Sequence, residues 1–124
     1  MLKLTPKTLW EIVKEVNQKY FDNELSVKKI KWTKVSTLYY LYPCRYRLWA
    51  VCEPDTKTIY LNENIKKISH KMPRYVLTYL IFHECIHLLY LTHCLSFAKI
   101  EKNFPQFKKA NQWLLDNDKR LITG

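Results

Sequence analysis

Glycine is nearly absent: the single one among 124 residues is the last. Without glycine the chain cannot build a Gly-rich phosphate loop, and a tightly turned all-β fold is disfavoured. The four cysteines, Cys44, Cys52, Cys85 and Cys94, form no CxxC pair. No charged–apolar–small pattern of a secretory leader opens the chain, so reduced, buried thiols and a cytoplasmic location are expected. Acids are few, 11 against 21 Lys and Arg, and the net charge of +10 favours an anionic partner such as nucleic acid. Arginine, the better base reader, is scarce, and the lysines fall in small groups at Lys28-Lys29-Lys31, Lys66-Lys67-Lys71 and Lys108-Lys109. A solvated surface accounts for those groups equally well. Repeats, low-complexity segments and linkers are also missing, so residues 1–124 are expected to form one domain with one core. The longest apolar stretch, Tyr75 to Leu91, approaches the length of a membrane span. Two histidines and a glutamate in its middle make that placement costly, so a buried helix and no membrane insertion are expected.

That interruption is the most informative feature present. His83-Glu84-Cys85-Ile86-His87 is followed six residues later by His93. Residues four apart share a helix face, so His83 and His87 can grip one zinc ion. Glu84, one step round, can act as general base on a water that the metal activates. The chemistry this pattern serves is amide hydrolysis. The competing account has His83 and His87 as interior histidines, each satisfied by a carbonyl. Burying three polar groups in so apolar a helix is costly unless they are paired or bound to metal. His93 supplies a third nitrogen, and three protein donors with one position open is the catalytic arrangement. At about 100° per residue His93 would leave the metal face if the helix continued, so the helix is expected to end near Leu91-Thr92. Glu101 is the rival third ligand. Cys94 is a candidate fourth, which would close the site into a structural one.

Thr5-Pro6 opens a helix, with Leu9, Ile12, Val16 and Tyr20 as its buried stripe and Asp22-Asn23 as its stop. Val27 to Trp32 alternates and reads as a strand. Thr37 to Tyr42 reads as strand or rim, broken by Pro43. Arg47 to Cys52 and Thr58 to Leu61 read as strands joined by a turn at Glu53-Pro54-Asp55. A short irregular or helical piece follows Asn62, and Met72-Pro73 begins the long helix. Ser96 can cap another helix with Phe97, Ile100 and Phe104 on one face. Pro105 starts the last helix, through about Lys119, with Phe107, Ala110 and Leu114 inward. The expected class is α+β: an N-terminal backing helix, a small sheet of three or four mainly antiparallel strands, the HExxH helix, and closing helices.

These segments resemble the SprT-like zinc peptidases and the single-domain minigluzincins along nearly the whole chain. EVNQKYFDNEL (15–25) is similar to the family's asparagine-aromatic-Phe-x-x-x-Leu signature, and KIKW (29–32) to its first strand. RLWAVCEPDTKTIYLNENI (47–65) resembles the hairpin beside the substrate cleft. HECIHLLYLTHCLSF (83–97) resembles the zinc core with its His-x-x-x-Phe pattern, and EKNFPQFKKANQWL (101–114) the closing helix. Cys94 stands where the family commonly has glycine or serine. The resemblance implies a zincin-like fold, one zinc per chain held by His83, His87 and His93, Glu84 as general base, and a polypeptide substrate.

On this basis an endopeptidase is expected, with the strand around Thr58–Leu61 as the edge that pairs with an extended substrate. Tyr90, His70 or a tyrosine among Tyr39, Tyr40 and Tyr42 would stabilise the oxyanion. The segment after Pro105 could lie over the cleft of its own molecule or of a neighbour, which would make the enzyme latent and leaves a homo-oligomer open. The alternatives are a SprT-like protease recruited to DNA–protein crosslinks, a non-catalytic zinc or nucleic-acid-binding module, and a hydrolase acting on something other than a peptide.

Overall fold

The computed structural model describes residues 4–41 and 48–123. Helix α1 (Pro6–Phe21) begins as its sequence dictates, with Pro6 in the first turn and the Thr5 hydroxyl oxygen accepting from the Thr8 amide at 3.2 Å. It buries Leu9, Ile12, Val13, Val16 and Phe21. With no internal glycine available, the stop falls to Asp22 and Asn23 in the left-handed region, φ 52° and 62°. Asn17 then clamps the exit: its amide donates to the Leu25 carbonyl at 2.9 Å, and its carbonyl accepts from the Leu25 amide at 3.0 Å.

Three strands follow, β1 (Lys29–Thr33), β2 (Ala50–Glu53) and β3 (Thr58–Asn62), in the order β1-β3-β2. The sheet is mixed rather than mainly antiparallel. β2 and β3 form the expected hairpin, but β1 lies parallel to β3, with Lys29 opposite Thr58 and Thr33 opposite Asn62. A long connection, residues 34–57, separates β1 from β3, and a parallel pair needs such a crossover. The segment expected at the edge is therefore central: β3 pairs on both sides and buries Thr58, Ile59, Leu61 and Asn62. Among the described residues β2 is the outer strand on the side of the histidines.

The expected strand at Thr37–Tyr42 is instead helix α2 (Val35–Leu41), with Tyr42 outside the described residues. Only Leu38 turns inward, while Tyr40 is 84% exposed, so the aromatics carry no strand-like alternation of burial. Pro43, Cys44 and Arg47 also lie outside the described residues. A 3₁₀ helix, Glu63–Ile68, leads from β3 towards α3 (Arg74–His87). α3 is buried from Val76 through Phe82 on every side, packed against α1, β2, β3 and α5 (Phe107–Thr123). Its N-terminal half is a filled core: Phe82 stacks on Phe104 at 5.6 Å and meets Tyr20 at 4.6 Å.

α3 stops at His87, one turn earlier than expected. Leu89 and Leu91, 52% and 76% exposed, have no core to pack against, so nothing holds the helix beyond that point. Helix α4 (Leu95–Glu101) follows with Cys94, not Ser96, at its N-cap. Phe97 and Phe104 are buried and Ile100 is partly so. α5 runs on to Thr123, burying Ala110 and Leu114. No described helix is long and apolar enough to cross a membrane.

Candidate metal centre

The last turn of α3 carries His83 and His87 on one face, their ring centroids 5.1 Å apart. The loop between α3 and α4 returns His93 to within 5.1 Å of the first ring and 4.9 Å of the second. One nitrogen from each ring falls within a sphere where all lie inside 4.8 Å of one another, and no other described His, Cys, Asp or Glu joins them. Glu101 is therefore not the third member of the cluster, and Cys94 does not close it.

The partners of the outward nitrogens decide which atoms face the centre. His87 Nδ1 lies 3.0 Å from the Tyr90 carbonyl oxygen, which can only accept, so Nδ1 carries the proton. His83 Nδ1 lies 2.6 Å from Glu101 Oε2, which also accepts from the Tyr79 hydroxyl at 3.0 Å. Burial pushes the Glu101 carboxyl up, but the His83 hydrogen bond and charge and the Tyr79 hydrogen bond outweigh it and hold the group below its usual range. An ionised carboxylate accepts only, so His83 too donates from Nδ1. Both helix histidines thus have Nε2 left for the shared space. His83 Nε2 and His93 Nε2 are 3.3 Å apart. Bonds of 2.0–2.1 Å to a tetrahedral ion would set neighbouring nitrogens about 3.3–3.4 Å apart. Two imidazole nitrogens at that distance share either a proton or a cation, and a metal ion can be reached by all three rings. The residues present fit the ion that the motif implies.

Charge follows the same geometry. His87 is held down to about 4 by burial and by the neighbouring His83, and so stays neutral as a ligand must. His93 is lowered as well, by burial and then by His83. His83 moves the other way in the protein without metal: burial pulls it down, but the Glu101 hydrogen bond and the charges of Glu84 and Glu101 raise it. Glu84 is 6% exposed and lines the cleft beside His83. Burial above all raises its carboxyl to about 7; His83 lowers it and Glu101 adds to the rise.

These groups open on a cleft of about 550 Å³ lined by β2 and the post-helix loop. Its described walls are Leu48, Ala50, Val51, Cys52 and Pro54 on one side, Leu91 and Thr92 on the other, with His83, Glu84, His87 and His93 between. Cys52 is a cleft residue rather than a core one, its thiol pushed up to about 12 by burial, Glu84 and Glu53. Of the expected oxyanion groups, His70, Tyr39, Tyr40 and Tyr90 are absent from these described walls, and Tyr42 lies outside the described residues. The only uncharged hydroxyl in the described walls is that of Thr92. Tyr79 was not foreseen, although its place four residues before His83 puts it on the ligand face of α3.

The metallopeptidase-domain model of the YgjP-like family matches residues 4–117, and no curated protein matches the chain. The match spans most of the sequence, and the histidine cluster and the α+β architecture accord with it. The chain belongs to the YgjP-like family and is a metallopeptidase, a hydrolase of peptide bonds.

Proposed function

We propose that this metallopeptidase is a zinc-dependent endopeptidase in which His83, His87 and His93 hold the ion and Glu84 is the general base. The observation that carries the proposal is the convergence of three imidazole nitrogens beside a buried carboxyl in the lining of a cleft. Three neutral nitrogen donors suit zinc. When bound, zinc supplies Lewis acidity to the scissile carbonyl and lowers the pKa of water to about 7. Glu84 takes a proton from the attacking water and returns it to the leaving amine. Burial raises this carboxyl in the absence of metal, and a bound cation beside it would favour the ionised form that a general base requires.

Substrate enters as an extended chain. Among the described residues β2, not β3, is the outer strand with ladder groups left to pair, and Ala50, Val51 and Cys52 already line the cleft. Strand addition there recruits backbone rather than side chains and so gives affinity with little sequence preference. α5 gives latency no support. It packs on α3 and the 3₁₀ helix, and none of its described residues lines the cleft. The non-catalytic module lacks its fourth donor among the described residues. Recruitment to nucleic acid has one supporting feature, exposed Lys28, Lys29, Lys31 and Lys57 along β1, the opposite edge of the sheet from the cleft. Activity that rises with single-stranded DNA and falls with salt would favour that second reading.

The test compares wild type with Glu84→Ala for metal content and for cleavage of casein. Both proteins should hold one zinc, while the variant loses turnover by about 10²–10⁴-fold. Chelator should abolish the wild-type activity. A variant that cuts as fast as wild type overturns Glu84 as base, and a wild type without metal overturns the ligand assignment.

A further inference from the structure

We infer that helix α4 is a template that sets the three imidazoles in place before any ion arrives, through Phe97 and Glu101. The inference rests on the ligand assignment proposed above and adds residues that contact no metal and no substrate. Phe97 and Glu101 are four apart, so they share one face of α4, and Phe97 is the one buried residue of that helix. Its ring centroid lies 4.9 Å from the His83 ring, 4.7 Å from His87 and 4.8 Å from His93. The interplanar angles of 69°, 45° and 75° are tilted or edge-on contacts, the favoured geometry for ring pairs at this spacing. A single benzene ring is thus the common floor of the trigon. It matters most for His93, because α3 already fixes the spacing of His83 and His87. His93 sits one residue before the α4 N-cap, and Phe97, four residues on, is the surface on which it rests.

Glu101 does for orientation what Phe97 does for spacing. Its Oε2 receives His83 Nδ1 at 2.6 Å and the Tyr79 hydroxyl at 3.0 Å. Tyr79 is 4% exposed, and with His83 it presents a two-point grip from α3 to one oxygen of α4. The hydrogen bond fixes the ring rotation and tautomer of His83 and adds negative charge behind a donor atom, which raises its strength as a ligand. α3 and α4 are therefore joined at the site by one polar chain and by the contacts of Phe97 with two α3 rings. Metal affinity depends on both, although neither residue is a ligand.

The experiment measures zinc affinity by chelator competition for wild type, Phe97→Leu, Glu101→Gln and Tyr79→Phe. The visible spectrum of the cobalt-substituted proteins and the melting of the metal-free proteins are recorded in parallel. Phe97→Leu and Glu101→Gln should each weaken zinc binding by about 10–100-fold. Tyr79→Phe, which leaves the carboxylate in place but loosely held, should weaken it less. The cobalt spectra of the first two should shift, because the coordination geometry relaxes, whereas a merely structural role would lower melting and leave the spectrum alone. Should Phe97→Leu fail to fold, Glu101→Gln alone decides. Wild-type affinity and an unchanged spectrum in Glu101→Gln and in any folded Phe97→Leu overturn the template while leaving the peptidase proposal standing. A wild type that binds no metal overturns both.

Discussion

His83 and His87 leave a helix that is buried on all sides, whereas His93 stands in an exposed loop between Leu91 and Leu95, 76% and 83% exposed. The helix pair is positioned by backbone hydrogen bonds within α3, and each ring has its second nitrogen engaged, one by Glu101 and one by the Tyr90 carbonyl. His93 lies 3.3 Å from His83 and packs against the rings of His87 and Phe97. Two donors are thus ordered as part of the core, and the third is ordered by what it touches. A donor fixed by core packing loses almost no further conformational freedom on binding, while a loop donor held against one aromatic ring loses somewhat more. The centre accordingly has a rigid side and a less firmly held side, and the cleft is lined by both.

The largest effect that tests this contrast is on stability. Leu77→Ala, in the fully buried half of α3, should cost about 2–5 kcal/mol in chemical denaturation. Leu95→Ala, beside the loop histidine, should stay within about 0.5 kcal/mol. Equal losses would mean that the loop is packed as firmly as the helix. A somewhat smaller effect comes from the buried carboxyl on the rigid side. In metal-free protein the Glu84 carboxyl lies at about 7 rather than 4.5 because burial favours its protonated form. The stability that this form contributes is complete below pH 4.5 and is lost as pH rises through about 7. Glu84→Gln removes that loss, so metal-free variant and wild type should match below about pH 4.5 and diverge as pH rises towards 7. Above neutrality the variant should be the more stable by roughly 3 kcal/mol at most. A difference that is constant with pH would show that Glu84 is solvated in the fold. The smallest effect compares ligands directly. His83→Ala should weaken zinc binding by about tenfold more than His93→Ala, a difference of about 1.4 kcal/mol, measured by chelator competition. The reverse order would place the rigid side in the loop.

Where local chemistry decides structure, the chain was legible. Thr5-Pro6 opened α1, the Leu9–Ile12–Val16 stripe was buried, and Asp22-Asn23 ended the helix. The i, i+4 spacing of His83 and His87, and the need for the chain to turn so that His93 could return, were also readable. The failures share a cause. Val35–Leu41 is rich in residues that suit a strand or a helix, and only the burial of Leu38 under the sheet settled it as α2. Whether Thr58–Asn62 would lie at an edge depended on the return of β1, far away in sequence. The helix was expected to follow its apolar run to Leu91, but apolar residues extend a helix only when there is a core to receive them. Glu101 was weighed only as a ligand, because sequence spacing cannot say whether a carboxylate reaches the ion side or the far side of a ring.

The sequence by itself determined that two histidines and a glutamate would share the end of one buried helix, since helical periodicity needs no distant partner. It determined the lack of glycine turns and the lysine-rich surface in the same way. Tertiary structure alone decided that His93 completes a trigon over Phe97, that Glu101 and Tyr79 hold His83 from behind, and that β2 borders the cleft. Each of these depends on elements distant in the chain meeting in space, and only packing of the whole fold sets those distances.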